Sequence, residues 1–295
     1  MTQTILILGG SGRFGRHATQ AFNAAGWQVR QFDRKSDSLD AAMKGVDVVL
    51  NAWSPPGYHQ WDDALVQRHG DVARIAAQSG ATVILPGNVY VFGPDAPGPW
   101  REDTPHLAQN PLARIRQQIE TAYRESAGQA IILRCGDFID HEKTGNWFES
   151  YITPGVPKGV LRYPGDPAVD HAWAYLPDAA RAAVALAEKR ATLGRFENVP
   201  FPGYTLTGHE LAAAIAQATG HAIAVKPFGW PMMQLVRPFM PVLKGVFEMR
   251  YLWSLPHRLD GTRFAELVPD FEPTPLDEAL RQALTHQTAP GRAAA

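Results

Sequence analysis

The chain predicts an α/β fold: a doubly wound parallel sheet with a smaller C-terminal lobe. Three observations carry the sheet. An unbroken apolar run, Ile5-Leu6-Ile7-Leu8, ends in a glycine cluster. Similar runs of strand length recur within residues 47–52, 82–85 and 131–134. Segments of helical character separate them. Runs that are apolar throughout, rather than alternating, suit strands buried on both faces, as in a parallel sheet covered by helices.

At 295 residues the chain can hold one large core or two unequal lobes. With 45% apolar residues it has the composition of a globular protein. Lys plus Arg is 28 and Asp plus Glu is 29, so no overall basic excess draws it to nucleic acid or an anionic membrane. A single cysteine, Cys135, excludes a disulfide framework within the chain and a cysteine-based zinc site. The first apolar run is too short for a signal-peptide core, and no run approaches the ~18 residues of a membrane span. These features predict a cytoplasmic protein without nucleic-acid or membrane partners, and they do not choose between a monomer and a homodimer.

The first strand leads into Gly9-Gly10-Ser11-Gly12-Arg13-Phe14-Gly15. A helix over Phe14 to Ala25 follows, stopped by Gly26; a second strand, Val29 to Phe32, ends at Asp33. Glycines at 9, 12 and 15 allow a tight turn, close approach of a pyrophosphate to the backbone, and close packing of helix on strand. The phosphates then meet unpaired N–H groups at the helix start, and Asp33 is placed to accept ribose hydroxyls. The G-x-x-G-x-x-G spacing resembles the extended and atypical members of the short-chain dehydrogenase/reductase (SDR) superfamily. The resemblance implies a Rossmann-type sheet holding NAD or NADP on Gly9, Gly12, Arg13, Phe14 and Gly15. Asp33 opposes a 2′-phosphate while Arg34 or Arg13 could bind one; the balance leans weakly to NAD.

The run Asp47 to Ala52 looks like the SDR strand whose end lines the cofactor site, through Asn51, Ala52 and Trp53. Residues 34–46 leave room for one short helix, about Ser38 to Lys44, where extended SDRs fit a helix, a strand and a second helix. One edge strand and its helix should therefore be missing. Asp62 to Ser79 is helical, with Gly80 as its stop, and Thr82 to Leu85 is the next strand. The segment after it, Pro86-Gly87-Asn88-Val89-Tyr90-Val91-Phe92-Gly93, resembles the family's S-S-x-x-V-Y-G and places Asn88 where the catalytic Ser or Thr stands. The family's P-Y-x-x-S-K matches Pro111-Leu112-Ala113-Arg114-Ile115-Arg116. Leu112 then takes the Tyr position and Arg116 the Lys position. Leucine cannot move a proton; Arg116 could still hold the nicotinamide ribose.

Tyr90 is the nearest phenol in sequence to Asn88. If the segment stays extended, the two share a face. Tyr90 reads either as a proton donor or as a packed aromatic. Asn88 reads either as a donor to a substrate carbonyl or as a turn former. The candidate catalytic set is Asn88, Tyr90 and Arg116.

Ile131 to Arg134 and the following Cys135-Gly136-Asp137-Phe138 resemble the family's crossing into the substrate lobe. Asp137 there is a candidate carboxylate or a backbone cap. Residues 171–180 resemble R-D-F-V-H-V-D-D-V-A, making His171 a substrate-side residue and Asp178 a cap for the helix to Lys189. Thr207 to Glu210 form a capping box. Aromatic residues crowd the strand ends and the lobe junction, and an aromatic-lined cleft suits a flat or sugar-like ligand. Tyr58, Asp137, Trp147, His171 and Trp173 are the substrate-side candidates. No His spacing matches a metal motif, and none is expected.

The expected division is a cofactor domain over 1–140, joined again by segments of about 165–200, and a substrate lobe over 141–295. The resemblance implies an NAD(P)-dependent epimerase/dehydratase- or reductase-like protein acting on a small hydroxyl, carbonyl or sugar-like compound. The alternative is a dinucleotide-binding redox sensor or partner-binding module without catalysis.

Overall fold

The structure, a computed structural model, describes residues 2–55 and 57–285. Its strands in chain order are β1 (Thr4–Leu8), β2 (Gln28–Gln31), β3 (Val48–Asn51), β4 (Thr82–Gly87), β5 (Ala130–Arg134), β6 (Asp137–Ile139), β7 (Val160–Tyr163), β8 (His171–Tyr175), β9 (Phe196–Pro200), β10 (Tyr204–Leu206) and β11 (Ala224–Pro227). The helices are α1 (Arg13–Ala24), α2 (Leu39–Ala42), α3 (Asp63–Ser79), α4 (Pro111–Glu125), α5 (Leu176–Lys189), α6 (Gly208–Thr219), α7 (Trp230–Val236), α8 (Val242–Glu248), α9 (Thr262–Leu267) and α10 (Leu276–Ala283).

Among the described residues the main sheet has six parallel strands in the order β2-β1-β3-β4-β5-β9. All residues of β1, β3 and β5 are buried, as their unbroken apolar runs require. Phe14, Ala18 and Phe22 of α1 pack with Ala179, Ala183 and Leu186 of α5 on one face. Leu65, Val72 and Ile75 of α3 pack with Ile119 and Tyr123 of α4 on the other. The sheet ends at the largely exposed β2, and the linker after it holds only the one-turn α2, capped by Ser38. The missing edge strand is thus as the short linker predicts.

The strand order reverses between β1 and β3. In such sheets ligands bind in the crevice beyond the strand ends at this point. Within residues 165–200, α5 and β9 pack with the main sheet, while β8 joins β10 and β6 in a small separate sheet. A further pair, β7 and β11, lies in the C-terminal part. A second core of Phe148, Ile152, Tyr163, Trp173, Ile215, Trp230, Trp253 and Leu280 holds these pieces together.

Two local expectations are corrected. The segment after β4 does not stay extended. Val89–Val91 form a 3-10 turn, because the Asn88 side chain accepts the Tyr90 N–H at 3.1 Å and closes it. Asp178 is not the cap of α5. Tyr175 holds that position without a side-chain bond, and Asp178 inside the helix accepts from Thr274 N and Oγ1, both at 2.7 Å. It fastens the C-terminal segment to α5.

Candidate active site

The glycine turn is tight because its own backbone fills the space a side chain would need. Gly9 lies at φ +82°, the left-handed region, with its Cα side against the Ala52 carbonyl of the β3 end. A Cβ on Gly15 would come within 2.2 Å of the Gly9 carbonyl oxygen. Gly12 caps α1 without a side-chain bond, and the first turn of α1 holds no acidic residue. That leaves the positive end of the helix and its N–H groups open to an anion. Phe14 is buried beneath the turn. Arg13 is exposed and donates to the carbonyls of Thr144 (3.0 Å) and Gly145 (2.9 Å), joining the turn to the loop after β6. At the β2 end Asp33 is exposed and accepts from Lys35 N, while the Arg34 guanidinium lies 5.7 Å from the Trp53 ring centre.

At the adjoining ends of β3 and β4, the hydroxyls of Tyr58 and Tyr90 meet at 2.7 Å. Trp61 packs on both rings. Burial pushes the Tyr58 phenol up to about 12, with Tyr90 and Arg13 pulling it down and Asp137 pushing it up. Burial, Tyr58 and Asp137 push Tyr90 well above its ordinary value, with Arg13 opposing. Both are therefore neutral at ordinary pH and can donate hydrogen bonds. Arg116 is buried, bonds the Pro86 carbonyl at 2.9 Å and lies 5.9 Å from the Trp61 ring centre. Its Nε and the Trp61 Nε1 are buried without a hydrogen-bond partner among the described residues. Leu112 is 5% exposed in an apolar cluster with Val89, Val91 and Trp100, and its N–H is held by Glu248 at 2.6 Å.

Asp137, whose charge acts on both phenols, pairs with His171 at 2.8 Å and joins β6 to β8. The His171 ring stacks flat on Trp253, with centroids 4.3 Å apart and 2° between planes, and His257 packs against its edge. Trp173 is fully buried in the second core, its indole N–H unpaired among the described residues. Trp147 touches Tyr151, Trp230 and Trp253 rather than Tyr58 or Tyr90. Trp61 and Trp253, two of the aromatics that crowd these segments in the sequence, stand beside these groups, and His257 is the neighbour the sequence missed. The sequence also missed Arg134, which is wholly buried, forks onto Glu120 at 2.7 and 3.2 Å, and bonds the Asn88 carbonyl at 2.6 Å and Asn198 at 3.0 Å. The signal for it was a charge inside an apolar strand.

Asn51 is buried under the strand end. Its Oδ1 accepts from Trp53 N, and its Nδ2 donates to Tyr123 Oη (2.8 Å) and His69 Nδ1 (3.1 Å). His69 Nε2 faces the Trp53 carbonyl at 3.2 Å, which fixes the Nε2–H tautomer. Protonation would set Nδ1–H against the Asn51 amide hydrogens. Burial chiefly lowers the His69 pKa to about 3, with Arg116 adding to it. Burial, with His171, does the same to His257. Both folded values lie below the unfolded 6.5, so the unfolded chain binds more protons as pH falls. Stability is then complete above pH ~6.5 and declines below it, by about 2 kcal/mol per histidine at pH 5. Urea midpoints should drop steeply between pH 6.5 and 5. A His69→Gln variant should show a shallower slope, and an unchanged slope would refute the assignment.

Among the described residues one group with metal-binding side chains forms without a sequence motif: His17, Asp140 and His141. Asp140 is committed to the fold there, accepting from His17 (2.8 Å), Glu142 N (3.0 Å) and Thr144 (2.9 Å).

No protein-family profile matches the sequence, and no curated protein resembles it at the sequence level. Solved structures do resemble it in fold. A UDP-N-acetylglucosamine 4-epimerase from Bacillus cereus superposes with a TM-score of 0.74 at 14% identity, covering 99% of each chain. TunA, an NAD-dependent NDP-hexosamine 5,6-dehydratase, gives 0.73 at 16% identity over 98% of this chain and 99% of its own. A human epimerase family protein solved with NADPH gives 0.73 at 16%, over 96% and 99%. The chain shares the fold of the NAD-dependent epimerases and dehydratases. In this fold the glycine turn of residues 9–15 stands at the sheet's reversal point. No helix among the described residues is long and apolar enough to cross a membrane.

Proposed function

We propose that this protein binds NAD or NADP and interconverts a hydroxyl and a carbonyl carbon on a small, sugar-like substrate. The observation that carries the reading is the glycine turn with an uncapped, acid-free helix start behind it, beside the paired hydroxyls of Tyr58 and Tyr90. Solved proteins of the same fold hold NAD or NADPH, and several carry UDP-sugars. The cradle fits a dinucleotide. The N–H groups at the start of α1 receive the diphosphate, Asp33 the adenine-side ribose with Arg34 beside it, and Ala52 and Trp53 wall the crevice. Arg116, with a buried Nε free to donate, holds the nicotinamide-side ribose. The bound cofactor supplies hydride exchange at nicotinamide C4.

The chain's own residues do the rest. A hydroxyl of the Tyr58–Tyr90 pair donates to the substrate oxygen, its neighbour relaying the proton, in place of the tyrosine that Leu112 displaces. Asn88 presents its amide N–H to the same oxygen, its Oδ1 being occupied by Tyr90 N. Asp137 and His171 bind substrate hydroxyls.

Buried Leu112 favours a second reading, binding without redox turnover. One experiment separates the two. NAD and NADP are titrated calorimetrically into the protein, and mass spectrometry follows turnover of nucleotide sugars, including cycles with no net NADH change. Turnover that Tyr90→Phe lowers by about 10²-fold or more, with cofactor affinity unchanged, supports catalysis. Tight binding without turnover supports the second reading. No binding at millimolar cofactor refutes both.

A further inference from the structure

The segment Trp230–Phe247 packs apolar residues on the second core and turns others outward. Met232 and Leu235 share one face of α7 at i and i+3, and Phe239 ends the 3-10 turn that follows it. All three are open to solvent: they are 70%, 76% and 84% exposed, with Met240 beside them at 46%. The opposite face is anchored. Trp230 is buried with its indole N–H on the Pro164 carbonyl at 2.6 Å, and Leu243 is buried in α8. The exposed stripe is therefore a held platform, not a loose loop. The partly exposed ring of Tyr151 packs against Phe228 at its border, adding an amphipathic aromatic.

Charge says what covers it. No aspartate or glutamate occurs from residue 211 to residue 247, while Lys226, Arg237 and Lys244 do, all exposed. The first acid beyond, Glu248, turns inward to Leu112 N. A groove beside the stripe is lined by Gln234, Arg237, Pro238, Met240, Pro241 and Lys244, two cations and no anion. A neutral chain as a whole thus carries a locally cationic, apolar protrusion, which its net charge of -1 conceals.

We infer that this face seats the protein on an anionic lipid surface. Met232, Leu235 and Phe239 enter the boundary between headgroups and acyl chains, and Arg237 and Lys244 meet lipid phosphates. The attachment is peripheral, needs no spanning helix, and holds whatever reaction the cleft performs.

Co-sedimentation with vesicles tests it. The full chain should pellet with vesicles containing phosphatidylglycerol at about 1 mM lipid and much less with pure phosphatidylcholine. Binding should weaken with salt and fall about fivefold for each of Arg237→Gln and Lys244→Gln. A Leu235→Asp/Phe239→Asp variant should lose it while keeping an unchanged circular-dichroism spectrum and melting temperature, since both side chains are exposed. Failure to pellet, or equal pelleting by this variant, would overturn the inference. So would a concentration-dependent dimer that the same variant dissolves, which would assign the stripe to a second copy.

Discussion

Replacing Gly15 with alanine is expected to weaken dinucleotide binding by about a hundredfold or more and to lower stability by about 1–3 kcal/mol. The new Cβ would sit 2.2 Å from the Gly9 carbonyl oxygen and 2.8 Å from the Gly10 Cα. Both obstacles are backbone, so no side chain can rotate away. Either α1 backs off β1, opening the packing of Phe14 and Ala18, or the turn shifts and misaligns the N–H groups meant for phosphate. Gly10→Ala is the matched control. Its Cβ would meet only the flexible amide end of Gln31, at 2.9 Å, so it should cost little in either respect. Calorimetric titration with NAD and NADP, run beside urea denaturation, checks both. A Gly15→Ala protein with wild-type affinity would show that the turn does not hold the diphosphate.

The turn was legible in the sequence because its requirements are local. Strand, glycines, helix and Asp33 fall within one stretch of chain, and each constrains the backbone of its neighbours. The lost edge strand was legible for a similar reason: residues 34–46 are too few to build it. What lay beyond the glycine turn was less legible, because it is assembled from distant segments. Tyr58 and Tyr90 stand 32 residues apart in the chain and meet only through adjacent strand ends. Asp137 and His171 stand 34 apart and meet across the small sheet. The fate of the stretch after β4 turned on one competition. Extended backbone would have placed Asn88 and Tyr90 on a face, but a local side-chain bond to Tyr90 N won, as asparagine after glycine commonly allows. Whole-chain charge says nothing of local patterning, since averaging hides the acid-free stretch from 211 to 247.

Glu120→Ala is expected to destabilise the protein by about 3–5 kcal/mol, because it strands the Arg134 charge in the core. Arg134 is 0% exposed and Glu120 2%. Burial alone would raise the Glu120 pKa. The charge and hydrogen bonds of Arg134, with Arg116 and His106 behind them, outweigh burial and hold it below its ordinary value. A lowered carboxylate pKa makes the pair's contribution complete above the unfolded pKa of about 4.3 and lost only as pH falls below it. The histidine-driven decline between pH 6.5 and 5 should therefore survive in Glu120→Ala, from a lower starting point.

The pair also has a reach beyond stability. Arg134 spans from Glu120 on α4 to the Asn88 carbonyl, so it ties the helix carrying Arg116 to the turn carrying Tyr90. Replacing both partners with apolar side chains, Glu120→Leu with Arg134→Met, should restore part of the stability by removing the unpaired charge. It cannot restore the bond to Asn88. If the network only fills the core, the double variant will recover turnover along with its denaturation midpoint. If it positions the Tyr90 turn, as the geometry argues, stability will return while kcat stays depressed and cofactor affinity is unchanged.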